Sequence, residues 1–151
     1  MSELYSLLYS TGSFGGLKLD DYCARIVSPL VALAGNISLR TELESVHLQV
    51  KNAASIGLIL TELTTNAVKY AFPAGRKGTV TVGLKKTGDG KAMLEVVDDG
   101  VGFPIGFDLA SQAGLGLNLV QGLAEQIGGI FTIGKGVTGT RCTLEFGIGP
   151  K

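Results

Sequence analysis

Ala92-Met93-Leu94-Glu95-Val96-Val97-Asp98-Asp99-Gly100-Val101-Gly102 alternates at period two and then breaks on a pair of glycines, the pattern of a strand running into a turn. Alternation sorts the side chains: Leu94, Val96 and Asp98 share one face, and Met93, Glu95 and Asp99 share the other. Two carboxylates that adjoin in sequence are thereby separated, and Asp98 is the one aimed with the apolar side.

Upstream, residues 79–85 alternate in the same way and are joined to 92–98 by Thr87-Gly88-Asp89-Gly90, which predicts a hairpin. Farther back, 52–72 is the longest helical stretch, 37–43 reads as a strand, and 46–48 as a short extended piece. Residues 18–34 form a helix with Leu19, Tyr22, Cys23, Ile26, Leu30 and Leu33 on one stripe, kinked or weakened by Pro29. Leu4, Leu7 and Leu8 look like the tail of an earlier helix. Downstream, 99–113 has no period, Leu115, Leu119, Val120, Leu123 and Ile127 mark an amphipathic helix, Phe131 and Ile133 begin a strand, and Cys142, Leu144, Phe146 and Ile148 alternate as the last one. A sheet buried on one face under a helical layer follows.

With 151 residues, 45% hydrophobic and 17% charged, the chain has room for one globular domain and a sizeable core. Lys plus Arg and Asp plus Glu each total 13, so no net field draws it toward nucleic acid or an anionic membrane. Cys23 and Cys142 lie far apart without metal-ligand neighbours, which speaks against a disulfide framework or a zinc site. The chain lacks a membrane-length apolar run and a signal-peptide start, so a soluble cytoplasmic protein with reduced thiols is expected. The 23 glycines cluster at 100–116 and 128–139, as close backbone approach to a ligand would require.

Four places could carry chemistry. On the long helix Glu62, Asn66 and Lys69 fall within one narrow stripe with Tyr70 at its edge, although a solvated face accounts for polar residues equally well. Asp98, on the apolar side, needs a hydrogen-bond donor; an adenine amino group would serve, and a plain Asp-Gly turn is the bland alternative. Gly114-Leu115-Gly116-Leu117 opens the amphipathic helix, where free amides and the helix dipole favour an anion and where glycines also serve as simple caps. Thr138-Gly139-Thr140 sits in a turn before the last strand. Two motifs fail: Leu119 replaces the third glycine of a dinucleotide fingerprint, and Gly136 replaces the Ser or Thr that a phosphate loop needs after Gly134-Lys135. His47, the only histidine, has no acidic neighbour and reads as structural.

Taken in order, Glu62-Leu63-Thr64-Thr65-Asn66-Ala67-Val68-Lys69-Tyr70, Asp98-Asp99-Gly100-Val101-Gly102, Gly114-Leu115-Gly116-Leu117 and Thr138-Gly139-Thr140 resemble the N box and the three glycine boxes of the GHKL ATPases, the superfamily that histidine kinases share with chaperone, gyrase and mismatch-repair ATPases. Lys69-Tyr70-Ala71-Phe72-Pro73 resembles histidine kinases of the second dimerisation class, relatives of the HWE kinases, and Leu7-Leu8-Tyr9-Ser10-Thr11-Gly12-Ser13-Phe14 is similar to the segment leaving their dimerisation hairpin. The resemblance divides the chain into residues 1–16, a remnant of the dimerisation-domain helix and linker, and 17–151, a catalytic ATP-binding domain.

The resemblance implies a Bergerat fold, an α+β two-layer sandwich in which a mixed, mainly antiparallel sheet lies under about three helices, with a lid over roughly 103–113. It implies ATP and Mg2+ as cofactors: Asn66 on the ion, Glu62 orienting a water on it, Lys69 neutralising phosphate charge and Tyr70 against the adenine. Asp98 accepts from the adenine amino group, Gly100 and Gly102 shape the base pocket, Gly114, Leu115, Gly116 and Leu117 line the phosphates, and Thr140 lies near Asp98. The implied partners are a histidine-bearing dimerisation domain and a response regulator receiver domain, with a homodimeric full-length protein. This chain lacks the phosphoacceptor hairpin, so it is expected not to phosphorylate itself. An anti-sigma-type serine kinase and a nucleotide-binding module without catalysis are the alternatives.

Overall fold

The hairpin forms as its alternation predicts. Strands β4 (Gly78–Gly88) and β5 (Lys91–Asp98) pair antiparallel, with Val82 opposite Val96 and Leu84 opposite Leu94. The computed structural model describes residues 17–48, 50–88, 90–101, 117–135 and 139–148. Before the hairpin come β1 (Leu17–Lys18), α1 (Leu19–Ala32), β2 (Ile37–Leu43), β3 (His47–Leu48), α2 (Val50–Tyr70) and a 3-10 turn over Pro73–Gly75; after it come α3 (Leu117–Gln126), β6 (Ile130–Lys135) and β7 (Thr140–Gly147). The helix tail expected over 2–9, the remnant over 1–16 and the lid over 103–113 lie outside the described residues.

Five strands make one sheet in the order β2-β4-β5-β7-β6, with β2 parallel to β4 and the other neighbours antiparallel. Val80, Val82, Leu84, Ala92, Leu94, Val96, Cys142, Leu144 and Phe146 are buried on one face, and three helices cover that face, α2 packing against both α1 and α3. This is the expected α+β two-layer sandwich with a mixed, mainly antiparallel sheet. The outer face is polar: Arg40 pairs with Glu42 at 3.1 Å and Arg141 with Glu95 at 2.8 Å. Gly134 and Lys135, where the phosphate-loop comparison breaks off, are the last residues of strand β6.

Five details differ from the sequence expectations. In α1 the core stripe is Leu19, Cys23, Val27 and Val31 with Tyr22, while Ile26 and Leu30 are half-buried and Leu33 is 87% exposed; the ridge follows steps of four. Pro29 does not interrupt α1, which continues to Ala32. In α3 Leu117, Val120 and Ala124 are buried and Leu119 is half exposed. The long helix stops at Tyr70 instead of 72, since Pro73 pushes Phe72 out of the helical region (φ −128°). The two-residue strand β1, not expected, pairs with β3 through Leu17–Leu48 and fixes the start of α1.

Helices α1 and α2 meet at a tight contact. Tyr22 donates its hydroxyl to the Ala53 carbonyl at 2.9 Å, and a Cβ on Gly57 would lie 2.5 Å from that hydroxyl oxygen. Thr64, on the same helix, is fully buried and its hydroxyl has no partner among the described residues. An unpaired buried hydroxyl costs its desolvation without return. Thr64→Val, which keeps the branched shape, is expected to raise stability by about 1 kcal/mol, read as a higher urea midpoint with an unchanged slope; a lower midpoint would mean that the hydroxyl is bonded in the folded protein.

Candidate functional site

The end of β5 brings three separate pieces of chain together. Parity places Asp98 on the helix-covered face, where it is 7% exposed, and leaves Asp99 outside and exposed. Asp98 Oδ1 accepts two backbone bonds, from Gly100 N at 2.9 Å and from Thr140 N at 3.3 Å. Asp99 turns the other way and accepts from Thr79 N at 2.8 Å. Burial raises the Asp98 carboxyl above its usual range; the bonds from Gly100 and Thr140 lower it, the Asp99 charge raises it, and Arg76 lowers it. Cys142, beside it on β7, is pushed up to about 12 by burial and by the Asp98 charge, so its thiol stays neutral.

Glycines let these backbones meet. A Cβ on Gly100 would collide with the Ala71 carbonyl and methyl, and one on Gly139 with the backbone and Oδ1 of Asp98 and the amide of Gly100. The room that Gly100 leaves is therefore taken by Ala71 at the end of α2. Val101 N donates to the Ala71 carbonyl at 2.9 Å and completes the seam. Helix α2 is thus fastened to the turn one residue beyond Tyr70.

On α2, Glu62 and Asn66 are half-buried, Lys69 is exposed and Tyr70 is 50% exposed, so the polar stripe lies along the open side of the helix. Leu117 is buried in the core, which leaves its backbone, not its side chain, to face a ligand. Gly102, Gly114, Leu115 and Gly116 lie outside the described residues. Among the described residues a concavity of about 290 Å3 opens on the outer sheet face over Gly83, lined by Glu42, Glu44, Lys85, Met93 and Glu95. Its three carboxylates are already engaged, by Arg40, by Lys86 N at 2.9 Å and by Arg141, and it lies on the face opposite Asp98.

Two residues at this site were not among the sequence candidates. Gly139 stood inside the quoted Thr138-Gly139-Thr140 triplet, and a glycine just before an inward-facing strand residue was the available signal. Arg76 lies in the loop after α2 and donates Nη2 to the Asp99 carbonyl at 3.4 Å; no periodicity could have placed it there.

An inert amide at position 98 isolates the cost of burying the carboxylate. Because folded Asp98 holds its proton to higher pH than the unfolded chain does, its contribution to stability is fully present below the usual carboxylate range and declines as pH rises through the folded-state value. The melting temperature of the wild type minus that of Asp98→Asn should therefore fall from acid to neutral pH. A difference that stays flat or rises contradicts this. Gly139→Ala should destabilise by about 1–3 kcal/mol through overpacking, seen in chemical denaturation.

A family model described as histidine kinase-, DNA gyrase B-, and HSP90-like ATPase matches residues 51–149. Blue-light-activated histidine kinase 2 of Erythrobacter litoralis is 28% identical over 153 residues, covering 95% of this chain and 44% of its own length. Sensor histidine kinase PdtaS of Mycobacterium tuberculosis is 38% identical over 76 residues, 48% of this chain and 15% of that protein. The chain thus spans less than half the length of these curated relatives. Among solved structures, the histidine kinase domain from an Erythrobacter litoralis blue-light activated histidine kinase superimposes with a TM-score of 0.85 at 26% identity, over 96% of this chain and 70% of that one. The catalytic domain of histidine kinase ThkA, at 17% identity and a TM-score of 0.73, covers 87% of this chain and 93% of its own and shares the fold. With the match spanning its long helix, its hairpin and its last strand, the chain belongs to the family of histidine kinase-, DNA gyrase B-, and HSP90-like ATPases.

Proposed function

We propose that this chain is the ATP-binding, phosphoryl-donating domain of a sensor histidine kinase, acting on a histidine carried by a separate dimerisation domain in two-component signalling. The observation that carries the reading is Asp98: a carboxylate on the buried face, gripped on one oxygen by Gly100 N and Thr140 N, beside the end of the helix that bears Asn66. Holding Oδ1 in this way presents the other carboxylate oxygen as a fixed acceptor, which suits the amino group of adenine. The sensor histidine kinases among the relatives point to the same chemistry.

The donor set fits Mg2+ that arrives with its nucleotide. Asn66 offers a hard amide oxygen, and among the described residues no group of three or more His, Cys, Asp and Glu could form a protein-only cage. Bound Mg2+ would neutralise charge between the phosphates, as a loose phosphoryl-transfer transition state requires. The protein's own residues would position the ligand: Asn66 would hold the ion, Glu62 would orient a water on it, Lys69 would neutralise phosphate charge, and Tyr70 would offer a ring to the base. Asp98 and Thr140 fix the base edge, Gly100 with Gly102 shapes the pocket, and Gly114 through Leu117 supply backbone amides to the phosphates. The dimerisation domain, a response regulator, a homodimeric full-length protein, residues 1–16 as the end of a dimerisation segment, and a cytoplasmic location belong to this reading. It is compatible with the finding that no described helix is long and apolar enough to cross a membrane.

Asn66→Ala should abolish Mg2+-dependent ATP binding, and Asp98→Asn should weaken ATP about ten- to hundredfold, the worth of a hydrogen bond to a charged group; unchanged affinity in both by calorimetry sinks the site assignment. When the protein is incubated with γ-labelled ATP and a matching dimerisation hairpin, acid-labile label on histidine is expected. Acid-stable label on serine would transfer the assignment to a serine kinase.

A further inference from the structure

We propose that Arg76 is a positioning residue for nucleotide binding, the member of a hydrogen-bonded ring that holds the turn at 98–100 and so aims the Asp98 carboxylate at the base. This rests on the ATP reading above. The ring closes through five bonds. Asn36 Nδ2 donates to the Arg76 carbonyl at 2.7 Å, and Gly78 N donates to the Asn36 carbonyl at 3.2 Å. The next residue, Thr79, donates its amide to Asp99 Oδ1 at 2.8 Å and accepts from Asp99 N at 3.3 Å. The Arg76 guanidinium then reaches the Asp99 carbonyl at 3.4 Å and returns to the start. Gly78 is confined inside this ring, since a Cβ there would lie 2.7 Å from Asp99 Oδ1 and collide with the Phe72 ring.

Arginine has two effects at this point. Its hydrogen bond ties the loop after α2 to the carbonyl that follows Asp98, so the direction of the carboxylate is set from both strands of the hairpin. Its charge also acts on Asp98 itself. Of the groups that act on Asp98, Asp99 in the same turn opposes ionisation, Cys142 on β7 stays neutral, Gly100 N and Thr140 N donate, and Arg76 is the cation; α2 presents the backbone of Ala71 to this turn. An ionised Asp98 is the better acceptor for an amino group, so Arg76 keeps the acceptor charged toward lower pH.

The test is ATP affinity as a function of pH for the wild type, Arg76→Gln, Arg76→Lys and Asp98→Asn, with melting curves as a folding control. Arg76→Gln should weaken ATP up to about fivefold at neutral pH, the range of an exposed charge interaction, and should move the acid midpoint of binding upward. Arg76→Lys should restore the midpoint while recovering affinity in part, because lysine replaces the charge but not the planar fork. A purely structural role would lower affinity without moving the midpoint. If the wild type does not bind ATP, or Asp98→Asn binds as the wild type does, the ATP reading fails and this inference with it. If those two behave as expected and the Arg76→Gln midpoint coincides with that of the wild type, only the role of Arg76 is overturned.

Discussion

One carboxylate oxygen joins the end of the sheet to itself: Asp98 Oδ1 receives the amide of its own turn and the amide that begins the last strand, 42 residues away. Both donors are backbone amides near the buried face in need of an acceptor. The same turn passes its next amide to the Ala71 carbonyl at the end of α2. The positions of three elements at this end of the molecule therefore depend on a single acidic side chain and the backbone around it. Its burial is unfavourable for the charged form and is offset only in part by the two bonds and by Arg76. Stability is given up at the place where the ligand is proposed to bind, as expected when a site keeps an acceptor ready in place of a well-solvated surface.

The glycines around this carboxylate explain how so much backbone converges. Gly78, Gly100 and Gly139 each lack room for a Cβ, and each is crowded by the turn at 98–100 or by what that turn rests on; Gly35, Gly122 and Gly134, by contrast, have nothing within 4 Å of a Cβ. At Gly78, Gly100 and Gly139 the closely approaching partner is another stretch of protein. Glycines let strands and helix close up, and the packed backbone sets where the Asp98 carboxylate points. Side chains at these positions would move the acceptor as well as fill space, which makes them more consequential than their small size implies.

Period-two alternation was enough to read the hairpin, the last strand and the division of Asp98 from Asp99, because a strand buried on one face leaves no freedom in which side chains point inward. The polar stripe on α2 was legible for the same reason at helical period. The core stripe of α1 was not, since Leu30 and Leu33 are as apolar as Val27 and Val31 and only the neighbouring helix and sheet select between them. Leu119 is a similar case, apolar and helical yet half exposed. Arg76 owes its place to a contact with Asp99 across a long separation in sequence, of which local pattern carries no trace, whereas Gly139 is marked only as a glycine just before an inward-facing strand residue. Pro73 did carry a local signal, and the helix end moved back by two residues to respect it.

Charge is distributed to leave the work of recognition to this corner. The chain has no net charge, so it exerts no long-range pull on an anion. On the outer face of the sheet, arginines and glutamates are paired with each other, Arg40 with Glu42 and Arg141 with Glu95, and exposed pairs of this kind contribute little beyond solubility. Lys69 is exposed at the end of α2, and Arg76 donates to the Asp99 carbonyl in the turn after Asp98. A tetra-anionic nucleotide would therefore meet local cations and a pre-aimed acceptor instead of a field. Binding of the proposed kind would have to come from short-range geometry, of the sort fixed here by the paired amides on Asp98 and the ring through Arg76.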